Sequence, residues 1–161
     1  MDARELGAEW LFQKDWAFDT RPSAYDQEQY ARALMICAAG DGTISRGERD
    51  WVKGYLAAFG AAQELIDLLE TYDGREALES VLALSPAVAA SSRGLVHDAI
   101  RACSADGELH PDELADIRKM NTLLGHEDDL VDRWLDHYRE EERLRRRRAE
   151  LIWTDPANKP Y

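Results

Sequence analysis

The chain of 161 residues has only two cysteines, Cys37 and Cys103, which are too few for a disulfide framework. Each lies in an apolar stretch just before an acidic turn, so we predict that both are reduced core residues. No apolar run approaches the roughly 18 residues needed to span a bilayer. The first residues also lack the basic and apolar regions of a signal peptide. These absences predict a cytoplasmic protein without membrane insertion.

Motifs of the common catalytic classes are missing as well. The sequence has no glycine-rich phosphate loop, no Gly-x-Ser-x-Gly nucleophile elbow and no Cys–His pair of useful spacing. Its histidines show no zinc spacing with the cysteines: His97, His110, His126 and His137. A hydrolase built on paired carboxylates stays formally open, but no substrate-pocket signature accompanies the acids. We therefore predict that the protein is not an enzyme.

Positive charge is scarce, since 32 acidic residues outnumber 20 basic ones and the formal net charge is −12. Such a surface repels nucleic acid and anionic lipid, and it concentrates cations. The basic run 143–148 directly follows three glutamates, and Glu141–Arg145 and Glu142–Arg146 stand four residues apart in the favourable order. This segment is predicted to be a solvated helix that pairs its own charges. A docking site for an acidic partner is the alternative.

An eight-residue pattern, Asp-Gly-x-(Ile/Leu)-x-x-x-Glu, occurs twice, at 41–48 and at 106–113. Both carboxylates recur at a spacing of 65 residues. Flanking residues keep the same spacing without a gap: Val52 with Ile117, Gly60 with Gly125 and Ile66 with Val131. A short motif inside a matching apolar frame predicts two copies of one helical unit.

Apolar residues recur three and four apart, and no useful length alternates with period two. We predict a single all-α domain over 1–161, with two pseudo-repeated helix–turn–helix units and seven or eight helices. The predicted segments are repeat 1 at about 24–72, a linker helix at about 75–85, repeat 2 at about 88–138 and a long C-terminal helix from near Glu127 to about 153.

Two helices of this plan carry further predictions. The N-terminal helix, over 4–18, places Leu6, Trp10, Leu11 and Phe18 on one side. A single helix over about 88–105 leads into the second acidic turn.

The two turns match the later part of an EF-hand loop, where an acid and a glycine precede an apolar residue and a bidentate glutamate. The first part of the loop is missing, and calcium takes about six to eight oxygens, so neither turn binds it tightly alone. If the repeats pack with their turns facing each other, four carboxylates line one acidic cleft: Asp41, Glu48, Asp106 and Glu113. Oxygen ligands favour Ca²⁺ first, with Mg²⁺ or Mn²⁺ as alternatives. Further carboxylates close in sequence are Asp98, Asp112 and Asp116.

A second interpretation of the same residues needs no metal. Asp41 and Asp106 are then ordinary turn residues, while Glu48 and Glu113 cap helices. Ser45-x-x-Glu48 is a capping box, which supports this interpretation. The protein would then be a metal-free helical scaffold or interaction module.

The paired turns resemble those of the TerB family, the tellurite-resistance proteins and their relatives. The residues that carry the resemblance are 38–44 with Glu48 and 103–109 with Glu113. In each copy, small residues precede Asp-Gly, which is followed by any residue, an aliphatic residue and, four positions later, the glutamate. The resemblance covers about residues 28–138.

The resemblance implies an all-α fold of paired helical repeats and a divalent-cation site on Asp41, Glu48, Asp106 and Glu113. Family members occur in stress-response operons linked to tellurite resistance. We therefore expect a stress-associated role exerted through contacts with a protein partner, with a homodimer as one arrangement. Unlike relatives that sit beside membrane or chaperone modules, this chain has no membrane segment and no J-domain-like His-Pro-Asp. It adds the N-terminal helix and the long Arg-rich C-terminal helix.

Overall fold

A computed structural model describes residues 1–40 and 42–161, which form nine α-helices, one 3₁₀ turn and no β-strand. The helices are α1 Ala3–Trp16, α2 Ala24–Ala38, α3 Arg46–Ala58, α4 Gln63–Thr71, α5 Leu78–Leu82, α6 Pro86–Ala90, α7 Ser92–Cys103, α8 Pro111–Leu123 and α9 Leu130–Ile152. The predicted all-α fold class is confirmed. No helix in these ranges is both long enough and apolar enough to cross a membrane.

Local signals in the sequence set the ends of the repeated helices. At the start of α3 the Ser45 hydroxyl accepts a hydrogen bond from the backbone N–H of Glu48, and Pro111 opens α8. Gly60 and Gly125 follow the ends of α3 and α8 with φ of 79° and 74°. Glycine adopts this left-handed conformation without a side-chain penalty, so equivalent residues end equivalent helices.

The two repeats share one hydrophobic core. Its centre is the contact between α2 and α7, the first helices of the two units. Leu34 and Met35 on α2, and Leu95 and Ile100 on α7, are fully buried there. Each of these helices also contacts the second helix of the other unit, since α2 packs on α8 and α7 packs on α3. This reciprocal packing brings the end of each first helix close to the start of the opposite second helix.

The helix predicted over 88–105 is divided in the structure. Ser85 caps α6 by accepting a hydrogen bond from the Val88 N–H at 3.1 Å, and Ser91 separates α6 from α7. Ser91 has φ −92° and ψ 6°, which interrupts the regular helical path. The described residues therefore contain one helix more than the upper number predicted.

The C-terminal helix begins later than predicted. The Glu127 carbonyl accepts hydrogen bonds from the Asn121 side chain and from the Leu130 N–H, which makes a turn before α9. The 23 residues of α9 span about 34 Å. Two arginines of its basic run pair three residues back, Arg143 with Glu140 and Arg145 with Glu142, and not at the predicted spacing of four.

The predicted apolar side of α1 is wrong for Leu6 and Trp10, which do not face the core. Leu6 is 61% exposed and Trp10 is 57% exposed, while Ala8 and Phe12 are buried. Leu6 and Trp10 form one stripe with helical spacing, and Ala8 and Phe12 form another. Only the stripe of Ala8 and Phe12 packs against the rest of the protein. The ring of Phe12 packs edge-on against Phe59, with centroids 4.7 Å apart.

Two glycines of other segments decide how α1 docks. A Cβ added at Gly60 would lie 2.7 Å from the Cβ of Ala8, so the absence of a side chain allows this close approach. A Cβ at Gly94 would lie 2.6 Å from the ring of Trp16. The contact surface of α1 is thus set by small residues elsewhere in the chain, which hydrophobic periodicity does not report.

Candidate metal centre

The glutamates of the two repeated turns lie together in the folded chain. A carboxylate oxygen of Glu48, a carboxylate oxygen of Glu113 and the sulfur of Cys103 all lie within 4.8 Å of one another. Glu48 is in the first turn of α3, Glu113 is in the first turn of α8, and Cys103 is the last residue of α7. The reciprocal packing of α7 on α3 and of α2 on α8 brings these ends together.

Both carboxylates also cap their own helices. An oxygen of Glu48 accepts a hydrogen bond from the Ser45 N–H at 2.6 Å, and an oxygen of Glu113 accepts one from the His110 N–H at 2.8 Å. Glu48 is only 6% exposed, and Glu113 is half-buried. Each capping bond uses one oxygen, so both carboxylates retain acceptor capacity for a further partner.

The pKa of Glu113 reflects this crowding. Burial raises the pKa of its carboxyl, the hydrogen bond from the His110 N–H opposes the rise, and the charges of Glu48 and Asp106 add to it. Two carboxylates about 4 Å apart repel by roughly 4 kcal/mol at an effective dielectric constant near 20. A cation between them would convert this repulsion into attraction.

Cys103 is the member of this cluster that sequence reasoning missed. It is buried and free, as predicted for a core cysteine. Burial raises the pKa of its thiol strongly, and the nearby charges of Glu48 and Glu113 add to the rise. The thiol therefore stays protonated beside Glu48 and is no ligand for a hard cation. Its place at the end of the helix before the second turn was the available sequence signal.

The aspartates of the turns are placed less centrally. Asp41 lies outside the described residues. Asp106 is exposed, and one of its oxygens accepts a hydrogen bond from the Glu108 N–H at 3.4 Å. Asp116 on α8 lies beside the start of the first acidic turn. A Cβ added at Gly40, just before that turn, would lie 2.8 Å from the Cβ of Asp116. The second repeat thus adds a carboxylate beside the first turn.

A separate cleft of about 590 Å³ contains Asp98, one of the additional carboxylates noted in the sequence. Asp98 is 1% exposed and accepts hydrogen bonds from the Tyr30 hydroxyl at 2.6 Å and from Arg101 at 3.2 Å. It therefore belongs to a buried polar network and not to the turns. His97 lines the same cleft, and its ring stacks on Trp134 with centroids 4.4 Å apart.

The lowered pKa of His97 predicts that the protein loses stability in mild acid. Burial lowers its pKa from about 6.5 to about 4; the Glu141 charge opposes this, while Arg101 and His137 add to it. Between these pH values the unfolded chain binds a proton that the folded protein excludes, so stability falls as the pH drops. We expect the free energy of unfolding to fall by about 1–2 kcal/mol from pH 7 to pH 5 because of His97. Urea unfolding in the presence of a metal chelator measures this loss.

The variant His97→Gln isolates this contribution. Raised carboxyl pKa values at Asp98 and Glu113 act in the opposite direction, but they are present in both proteins and largely cancel in the difference. The variant should lose less stability than wild type over the same pH interval. Equal losses in the two proteins would show that His97 titrates normally.

Together these features define an all-α protein with a duplicated helix–turn–helix unit and one acidic turn in each copy. The structure is similar to that of a tellurite resistance protein from Nostoc punctiforme, with a TM-score of 0.94 and 38% sequence identity. The match covers 100% of this chain and 99% of that one. No protein-family model matches the chain, and no curated protein does either. The chain belongs to the TerB-like family of tellurite-resistance proteins.

The match also corrects one expectation about the ends of the chain. The N-terminal helix and the Arg-rich C-terminal helix are predicted from the sequence as additions to the family pattern. Because the match with the Nostoc punctiforme protein covers the whole chain, both segments have counterparts in that relative. They belong to a structure that the two proteins share.

Proposed function

We propose that this protein is a non-enzymatic, cytoplasmic stress-response protein that holds one divalent cation between its two acidic turns and acts through protein contacts. A role in tellurite resistance, which the name of the Nostoc punctiforme relative states for that protein, is part of the proposal. The observation that supports it best is the proximity of Glu48 and Glu113, two equivalent residues from the two repeats.

The chemistry of these residues supports a hard cation. Glu48 and Glu113 supply the central oxygens, and Asp106 is exposed but close enough for its charge to act on Glu113. Asp41 is included from the sequence pattern. Ca²⁺ accepts about six to eight oxygens in a flexible arrangement, with water completing the shell, which suits carboxylates already engaged as caps. Mg²⁺ and Mn²⁺ are the alternative ions.

The outer half of α9 is the proposed contact surface for a protein partner. Leu144, Leu151 and Ile152 on this segment are each at least half exposed, whereas the buried residues of α9 all lie in its first two turns. Exposed apolar residues on one helix favour a protein contact, and a second copy of this chain is one candidate. The net charge of −12 disfavours nucleic acid.

A metal-free scaffold is the second candidate function, and the two capping hydrogen bonds favour it. Capping alone gives Glu48 and Glu113 a structural role. The two functions differ in one measurable respect, because only the first couples the stability of the fold to a divalent ion.

The variant Glu113→Gln tests the proposal. Glutamine can preserve the capping bond to the His110 N–H, but it removes one negative charge from the cluster. We expect Ca²⁺ at 100 times its dissociation constant to raise the free energy of unfolding of the wild type by about 2.7 kcal/mol, and that of the variant by far less. Urea unfolding with and without Ca²⁺, then with Mg²⁺ and Mn²⁺, measures the difference.

Two comparisons sharpen this test. Without any divalent ion, Glu113→Gln should be at least as stable as the wild type, because it relieves the repulsion that helps to raise the pKa of Glu113. The control is Glu64→Gln, which removes an exposed acid from the first turn of α4 and should leave the effect of Ca²⁺ unchanged. No stabilisation by any divalent ion in the wild type would favour the scaffold.

A further inference from the structure

A second group of metal-ligating side chains lines the cleft, away from the acidic turns. His97 comes from α7, and His137 and Glu141 come from α9. The Nε2 atom of His97 lies 3.2 Å from one Glu141 oxygen, and the Nε2 atom of His137 lies 3.2 Å from the other. One ligand atom from each of the three residues lies within 4.8 Å of the others.

The two nitrogen–oxygen separations of 3.2 Å are close to those between neighbouring ligands of a tetrahedral ion. With metal–ligand distances of about 2.0–2.1 Å, neighbouring ligands of a tetrahedral zinc ion stand about 3.3 Å apart. His137 and Glu141 are one helical turn apart and therefore share a face of α9. The packing of α7 against α9 brings the third ligand, His97, to this face.

The rings are held in place before any ion binds. His97 is stacked on Trp134 at an interplanar angle of 14°, and only 11% of its side chain is exposed. His137 contacts both rings edge-on, with centroid distances of 5.3 Å to His97 and 5.4 Å to Trp134. His137 and Glu141 are about half exposed, so an ion has access from the cleft.

We propose that His97, His137 and Glu141 form a binding site for a first-row transition-metal dication, with Zn²⁺ as the representative ion and a fourth position open to the cleft. Imidazole nitrogens suit zinc-like metals, whereas Ca²⁺ and Mg²⁺ prefer oxygen alone. Three protein ligands of the His₂Glu type with one open position are an established zinc arrangement. The proposal does not depend on a cation at the acidic turns, because the two clusters share no residue.

Calorimetric titration of the metal-free protein with Zn²⁺ tests this site. Because loss of a residue that only supports a ligand costs about 10–100-fold in metal affinity, removal of a ligand in His137→Gln should cost at least roughly 100-fold. His137 is half exposed, so this variant should fold, and thermal unfolding without metal checks that it does. His126→Gln is the matched control, since His126 lies outside both clusters and should leave Zn²⁺ affinity unchanged.

A third variant separates this site from the acidic turns. Glu113→Gln should retain Zn²⁺ affinity, because Glu113 belongs only to the cluster with Glu48 and Cys103. Retained zinc affinity in Glu113→Gln together with its loss in His137→Gln supports the proposal. Equal Zn²⁺ affinity in wild type and His137→Gln, loss of Zn²⁺ in Glu113→Gln alone, or no binding by the wild type would each overturn it.

Discussion

Replacing Asp98 with alanine lowers the free energy of unfolding by about 3–5 kcal/mol, the cost typical of breaking a buried charge network. Its carboxylate is almost completely buried, and it accepts hydrogen bonds from the Tyr30 hydroxyl and from Arg101, with Tyr55 close by. Burial raises the pKa of Asp98, while these three partners oppose the rise. The substitution leaves the donors without their shared acceptor, in a network that is largely buried.

The position of Arg101 makes this loss larger than that of a single hydrogen bond. Its guanidinium lies 5.3 Å from the ring centroids of both Trp51 and Tyr55, which hold the cation in place after its partner is removed. Urea unfolding of Asp98→Ala measures the cost. Asp15→Ala is the control, because Asp15 lines the same cleft but is exposed, and it should change stability by less than about 0.5 kcal/mol. A loss for Asp98→Ala as small as that of the control would contradict the network.

Gly60→Ala is the second substitution expected to be severe, at about 2–5 kcal/mol. An alanine at φ 79° is strained by about 1–2 kcal/mol. Its Cβ would also lie 2.7 Å from the Cβ of Ala8, and such overpacking adds about 1–3 kcal/mol. The substitution therefore strains the turn and displaces α1 from its docking site.

The repeat provides a matched control for this prediction. Gly125 occupies the equivalent position at φ 74°, but nothing lies within 4 Å of a Cβ added there. Gly125→Ala should cost only the backbone strain, so the difference between the variants in urea unfolding reports the docking of α1. Adding Ala8→Gly to Gly60→Ala should recover part of that difference. Equal costs at the two glycines would mean that α1 does not pack as described.

The helices and the all-α class could be predicted because their signals are local. Apolar spacing of three and four, the Ser45 capping box and the glycines after α3 and α8 act within one or two helical turns. The buried side of α1 could not be predicted in this way. Leu6 and Trp10 form the more apolar stripe, but docking depends on Gly60 and Gly94, which lie far away in sequence. Hydrophobicity ranks the stripes of a helix, while the neighbouring surface decides which stripe is buried.

Some residues of the candidate sites could also be predicted from the sequence, while others depend on how the helices pack. Glu48 and Glu113 could be identified together because the duplication marks them as equivalent residues. The duplication does not identify Cys103, because the equivalent residue in the first repeat is Ala38. His137 and Glu141 show a four-residue spacing in the sequence, but only the packing of α7 on α9 adds His97 to them. A ligand set assembled from different helices becomes visible once their contact is known.

Calorimetric titration of the metal-free protein with Ca²⁺ tests the shared cation most directly. A single ion held by both turns gives one ion per chain, and Glu48→Gln and Glu113→Gln each abolish the binding completely. Two ions per chain, with each variant removing only one of them, or unchanged heats in both variants, would contradict a site shared between the repeats.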